Sequence, residues 1–234
     1  MCIRDRVIYI TFFVVLIASV VYNFLPDFSR GTDVGTNIGN EIAQSWNTQN
    51  PRATYLLMDV PTLQPEMDTP IEGVADSEEM TVKARITRMD ILVEKKAPAE
   101  TSVFSLAFGV LGGSPAVYLL TILGAFSYAA IIVLMFLIIH SLRRSIRDEL
   151  PLNSRNIGRT RLIGALIIFA EVCRAVSLWL MNGKAAELLA GTDIIIDTSF
   201  PISYWNILIG VLVLFTAEVF AIGYRLSEEQ KLTI

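Results

Sequence analysis

Leu162-Ile-Gly-Ala-Leu-Ile-Ile-Phe-Ala-Glu-Val-Cys-Arg-Ala-Val-Ser-Leu-Trp-Leu-Met181 is an apolar run of bilayer-crossing length that carries Glu171 and Arg174 near its middle. A helix of about 20 residues rises about 30 Å, the thickness of a hydrocarbon core. On its own helix Glu171 therefore falls close to the bilayer midplane, where a charge costs about 2.5–3.5 kcal/mol on insertion scales. Spaced three apart, Glu171 and Arg174 share one helix side and can pair, lowering the cost of both. The stretch reads as a transmembrane helix in spite of its charges.

Working outward, uncharged apolar runs cover Val7 to Leu25, Pro115 to Ile139 and Ile202 to Ala217, which makes four crossings. Hydrophobic residues fill 53% of the 234 positions and charged residues 18%, against about 45–50% and 25% in soluble domains. The expected fold is an all-α integral membrane protein of four transmembrane helices, a four-helix bundle with a small extracytoplasmic α/β or β insertion between helices one and two.

The first six residues, Met-Cys-Ile-Arg-Asp-Arg, look like translated adapter sequence and are set aside. Residues 7–25 exceed a usual signal-peptide core, and no small-x-small cleavage site precedes Pro26, so they are read as the first crossing. The segment 26–106 carries seven Lys/Arg against thirteen Asp/Glu, or −6, and is assigned outside the cytoplasm. Within it, 54–60 and 81–93 are expected strands, with Val82, Ala84 and Ile86 alternating against Lys83, Arg85 and Thr87. Gly31, Gly35 and Gly39, followed by Asn40 to Asn50, favour irregular chain over an interfacial helix, because glycine is a poor helix former.

Val103 to Ser141 is too long for one crossing and too short for two. Ser114-Pro115 is a helix-start signal, a capping serine before a first-turn proline. The second crossing is therefore placed at 115–141, with Val103 to Gly113 as an interfacial or re-entrant lead-in. Next comes a loop, 142–161, holding Arg143, Arg144, Arg147, Arg155, Arg159 and Arg161 against only Asp148 and Glu149. Basic excess in a short loop marks the cytoplasmic side. That orientation sets the rest: 162–181 runs outward, 182–201 lies outside, 202–223 returns, and the tail 224–234 and the N-terminus are cytoplasmic. Trp179, Tyr204 and Trp205 fall at the outer helix ends, where amphipathic rings favour headgroups.

The composition removes several function classes. Cys2 and Cys173 form no framework or CxxC pattern, and His140 is the sole histidine. No Ser/His/Asp or Cys/His set, phosphate loop or metal-ligand spacing is present, so neither an enzyme nor a cofactor is expected. The arginine loop needs no role beyond orientation, and direct nucleic-acid binding is not expected.

The closing residues include Glu218, Phe220, Gly223, Leu226, Glu229, Leu232, Thr233 and Ile234, and the entry to the third crossing reads Asn156-Ile-Gly-Arg-Thr-Arg-Leu-Ile-Gly164. Both resemble the bacterial membrane-protein family called domain of unknown function 2975. The resemblance implies a four-helix protein of the bacterial cytoplasmic membrane, often encoded beside a small helix-turn-helix regulator, with no established activity.

Two expectations follow for sites. Glu171, Arg174 and Glu218 form an intramembrane polar clamp, because helices in lipid gain little from apolar contact alone and a shared polar network fixes which faces meet. Arg143, Arg144, Arg147, Arg155, Arg159 and Arg161 with Glu229, Leu232, Thr233 and Ile234 offer a surface for a cytoplasmic partner such as that regulator. The leading function is a non-enzymatic membrane accessory or sensor. The alternative is a small-solute or ion transporter working as a homo-oligomer, with Glu171 or Glu218 taking up and releasing protons.

Overall fold

The computed structural model describes residues 52–63, 69–70, 83–96, 108–147 and 154–232, with isolated positions 11, 14, 15, 18, 22, 35, 36, 39, 40 and 43. Four strands come first: β1 (Arg52–Pro61), β2 (Thr69–Pro70), β3 (Lys83–Ala84) and β4 (Arg88–Lys96). Three long helices follow: α1 (Pro115–Arg147), α2 (Ser154–Leu188) and α3 (Tyr204–Leu232). All three are long and apolar enough to cross a membrane.

The chain divides into two units. The first, Met1–Tyr55 with Glu94–Leu106, holds the isolated positions. Thr11, Val14, Val15, Ala18 and Tyr22 are helical; the remainder of the expected first crossing lies outside the described residues. Gly35, Thr36, Gly39, Asn40 and Ala43 are also helical. This corrects the irregular chain expected there: glycine's weak propensity is a prior that context overrides.

The second unit, Leu56–Val93 with Ala107–Ile234, contains the helices. Here α2 is central, since α1 and α3 each pack on α2 rather than on each other. In its most apolar stretch 39% of residues are buried, against 11% in α1 and in α3. Among the described residues the arrangement is thus three helices in a layer, where four in a bundle were expected. On the α3 side the backbones approach closely at Gly164 and Gly210. A Cβ on Gly164 would lie 2.9 Å from the Gly210 carbonyl oxygen and 2.8 Å from Leu214 Cγ.

Helix ends differ from the sequence reading. α1 starts at Pro115, and Ser114 Oγ accepts from Ala116 N at 3.3 Å, but the helix runs on to Arg147. α2 starts at Ser154, so much of the expected loop 142–161 is helix. α3 likewise continues through the expected tail to Leu232. Charged residues end an apolar run without ending a helix, because Arg, Glu, Gln and Lys are good helix formers.

The strands form two small sheets, β1 with β4 and β2 with β3, the latter antiparallel with Thr69 opposite Ala84. The half-buried strand expected over 81–93 is broken: Lys83–Ala84 is β3, but Arg85, Ile86 and Thr87 are exposed, irregular chain, and Thr81 and Val82 lie outside the described residues. The alternation appears one step later, where Met89, Ile91 and Val93 are partly covered and Arg88, Asp90 and Leu92 are exposed. In β1, Leu57 and Val60 are fully buried while Met58 and Asp59 between them are exposed. A strict period of two forbids that pattern, and Asp59 accounts for it by taking φ 58°, a bulge conformation that aspartate tolerates better than most residues.

β1 is tied to the helices by backbone hydrogen bonds. Leu56 N donates to Val110 O at 2.8 Å and Gly112 N to Leu56 O at 2.9 Å, fastening β1 to the chain that leads into α1. Leu63 N donates to Ile195 O at 2.8 Å and Asp197 N to Pro61 O at 3.0 Å, fastening it to the α2–α3 connection. The lead-in requires glycine at 112, where φ is 65° and a Cβ would meet Val117 Cγ1 at 2.8 Å. Gly109, by contrast, has nothing within 4 Å of where its Cβ would be.

Candidate functional site

The most developed polar cluster sits where α2 meets the start of α3. Glu171 has no exposed side-chain surface. Its Oε1 accepts from Arg174 Nη2 at 2.5 Å and from Ser203 N at 2.7 Å; its Oε2 accepts from Arg174 Nε at 3.0 Å and from Asn206 Nδ2 at 2.8 Å. Four charge-assisted bonds occupy both oxygens, which is how a buried carboxylate is made tolerable. Arg174 Nη2 also donates to Pro201 O at 2.8 Å. The pair therefore grips the α2–α3 connection as well as itself.

Ser203 precedes α3 and accepts from Asn206 N through its own Oγ at 3.4 Å. Glu171 thus places a negative charge at the N-terminus of α3, where unpaired N–H groups and the helix dipole favour one. This geometry relocates the cluster. On α2 Glu171 is near the middle; measured along α3 it lies level with the first turn, not with the centre expected from its own helix.

Glu218 does not join the clamp. It lies 12 residues beyond Asn206, about 18 Å along α3. There it accepts a two-pronged bond from Arg161, Nε to Oε1 at 2.8 Å and Nη2 to Oε2 at 3.0 Å. Arg161 is 46% and Glu218 59% exposed. The single expected clamp is therefore two separate α2–α3 ties, one buried and one exposed, separated by the helical rise.

The expected partner surface is also partly used inside the fold. Arg159 Nη1 donates to Leu137 O of α1 and to Asn156 Oδ1, both at 3.1 Å. With Arg161 bound to α3, these two arginines join helices. Arg155 and Glu229 are exposed, while Arg143, Arg144 and Arg147 lie in the last turns of α1. Leu232 ends α3, and Thr233 and Ile234 lie outside the described residues.

Sequence reasoning missed Pro201, Ser203 and Asn206. A signal was present: Ser203 is a capping residue at a helix start, and Asn206 is the one amide in the run 202–217. Among the described residues no group of three or more His, Cys, Asp or Glu is placed to hold a metal ion.

Residues 46–234 match a family described as "protein of unknown function (DUF2975)". The chain belongs to this family. The DUF2975 match includes β1, β4 and all three helices, so the Glu171 cluster and the Arg161–Glu218 tie both lie inside it. No curated protein and no solved structure matches the chain.

Proposed function

We propose that this protein is a multi-pass membrane accessory or sensor, without enzymatic activity, that passes the state of an outer segment to a cytoplasmic regulator. The observation that carries this reading is the double attachment of β1, to the lead-in of α1 and to the α2–α3 connection. That same connection ends on Arg174 through Pro201 O and on Glu171 through Ser203 N. A displacement of β1 is thereby delivered to the point where α2 holds α3.

In this reading residues 7–25 supply a fourth crossing, and the protein lies in the bacterial cytoplasmic membrane with both termini inside. The arginines at the α1–α2 turn support that orientation by the positive-inside rule. A small helix-turn-helix protein is the proposed partner of the inner ends of α1 and α3. Saturation of Glu171 by four donors favours a structural carboxylate over a proton carrier, which counts against the transporter alternative.

Co-purification tests the reading. The intact chain, crosslinked in native membranes, is expected to retain a small helix-turn-helix protein, and a chain ending at residue 223 is expected to lose it. Absence of any regulator from the intact complex, together with unchanged transcription when the gene is deleted, refutes the proposal.

A further inference from the structure

Arg161 and Glu218 are bonded to each other at 2.8 and 3.0 Å, yet their side chains stay 46% and 59% exposed. Their surroundings are apolar. Phe215, Val219, Phe220 and Ile222 are exposed on either side of Glu218 along α3, and Leu162 is exposed beside Arg161. Glu218 lies 14 residues, about 21 Å, beyond Tyr204 and six residues, about 9 Å, before Tyr224. It is therefore inside the apolar span of α3 and at neither end of it. Water screens an exposed ion pair on a soluble protein. Hydrocarbon does not, and charged groups within a span face protein or a water-filled cavity. The open side of this pair is thus a surface for protein contact.

The pair sits in a continuous stripe. On α2 the exposed positions Gly158, Leu162, Ala165, Phe169 and Val172 follow one another at alternate steps of four and three, with Arg161 beside them. On α3 the exposed positions Val211, Phe215, Glu218 and Ile222 do the same. Such steps keep residues on one helix face and are the spacing of knobs-into-holes packing. Arg161 reaches Glu218 across the α2–α3 seam, so both stripes open to the same side. That face holds one cation and one anion at one depth.

Whatever covers the face has to bring charge to it. Residues 7–25 hold no charged residue, and lipid tails hold none. A second copy brings both signs. Two copies inserted with the same orientation are related by a two-fold axis along the membrane normal, which keeps each residue level with its counterpart and makes every contact reciprocal. We propose that this α2–α3 face is a homodimer interface within the membrane, in which each Arg161 bridges its own Glu218 and the partner's Glu218. In that arrangement α2 lies antiparallel to the partner's α3. Gly164 and Gly210 stand level in one chain, so Ala165 comes level with the partner's Val211. Gly158 and Ala165 keep the α2 stripe low enough for close approach. The inference rests on the membrane placement proposed above, which is checked separately by extraction of membranes with alkaline carbonate.

Disulfide trapping of the full chain in native membranes tests the interface, in a Cys2→Ala, Cys173→Ala background. Copies with Ala165→Cys and differently tagged copies with Val211→Cys, expressed together, are expected to form a mixed covalent dimer. Copies with Val133→Cys, on the exposed face of α1, are expected to form none. Adding Arg161→Glu to both copies sets like charges against each other and is expected to lower the yield about tenfold or more, as is Glu218→Arg in both. Arg161→Glu in one copy with Glu218→Arg in the other is expected to restore it, because every charge then faces its opposite across the interface. An ion pair confined to one chain gives no such rescue. No mixed dimer in the otherwise wild-type chain, equal trapping through Val133→Cys, or unchanged trapping in the charge variants overturns the interface. So does a lack of rescue between variants that keep the wild-type melting temperature. A link from Ala165→Cys to Val15→Cys within one chain, in place of the mixed dimer, assigns the face to the first crossing and also overturns it. Each of these results in chains that stay in carbonate-washed membranes leaves the membrane placement standing.

Discussion

Truncating Glu171 to alanine removes one side chain and takes an acceptor from two others and from a backbone N–H. Ser203 N and Asn206 Nδ2 lose their acceptor, and Arg174 keeps only Pro201 O. Breaking a buried ion pair from one side costs about 3–5 kcal/mol, but Arg174 is 39% exposed and recovers part of its solvation, which discounts its share. The two stranded neutral donors add about 1–3 kcal/mol each where they stay dry. A loss of about 3–4 kcal/mol is the expected result for Glu171→Ala. Glu171→Gln keeps an acceptor but turns an amide N–H₂ toward a donor, so about 2–3 kcal/mol is expected. The decisive comparison is the double variant Glu171→Ala with Arg174→Ala. Because the two residues share one network, their effects fall short of additivity, and the pair is expected to be no less stable than Glu171→Ala alone. Thermal unfolding in detergent, followed by the monodisperse fraction surviving on a sizing column, ranks the variants. A Glu171→Ala chain within about 0.5 kcal/mol of wild type, or full additivity of the two single changes, refutes the clamp.

Glu218→Ala removes an exposed tie, and in detergent it is expected to cost under about 1 kcal/mol; the same melting assay should separate it clearly from Glu171→Ala. Gly164→Ala drives a Cβ against the Gly210 carbonyl and Leu214 and is expected to lose about 1–3 kcal/mol. Gly158→Ala, with nothing within 4 Å, is expected to gain about 0.5–1 kcal/mol in the same helix, and opposite signs in one melting series check both. Ser199 N donates to Asp197 Oδ1 at 2.9 Å, and this bond, with a second from the Ser199 side chain, holds the Asp197 carboxyl below its ordinary value of 3.8. Its folded value being the lower, the stabilisation is complete above the unfolded value and disappears as pH falls through the folded one. The gap in melting temperature between wild type and Asp197→Ala is therefore expected to narrow in the acid range.

Legibility in the sequence followed the range of the interaction. Ser114-Pro115 marks a helix start through local capping and ring geometry, and α1 begins at Pro115. Glu171 and Arg174 are three residues apart, so helical geometry alone brings them together. Arg161 and Glu218 are 57 residues apart, and no local rule selects that pairing over Glu218 with Glu171. The helices run further than the apolar runs, through residues whose polarity marks a loop or tail in the sequence, because polarity ends the apolar face without ending the helix.

What the sequence determined by itself is three of the long apolar helices, the i,i+3 pair and the family, since all of these depend on composition and neighbouring residues. What only the tertiary structure decided is the register between helices. The glycines at 164 and 210 let the α2 and α3 backbones close to contact, and that contact sets which residues stand level. It places Glu171 against Ser203 and Asn206, gives Arg161 to Glu218, and leaves one edge of Arg174 at the surface.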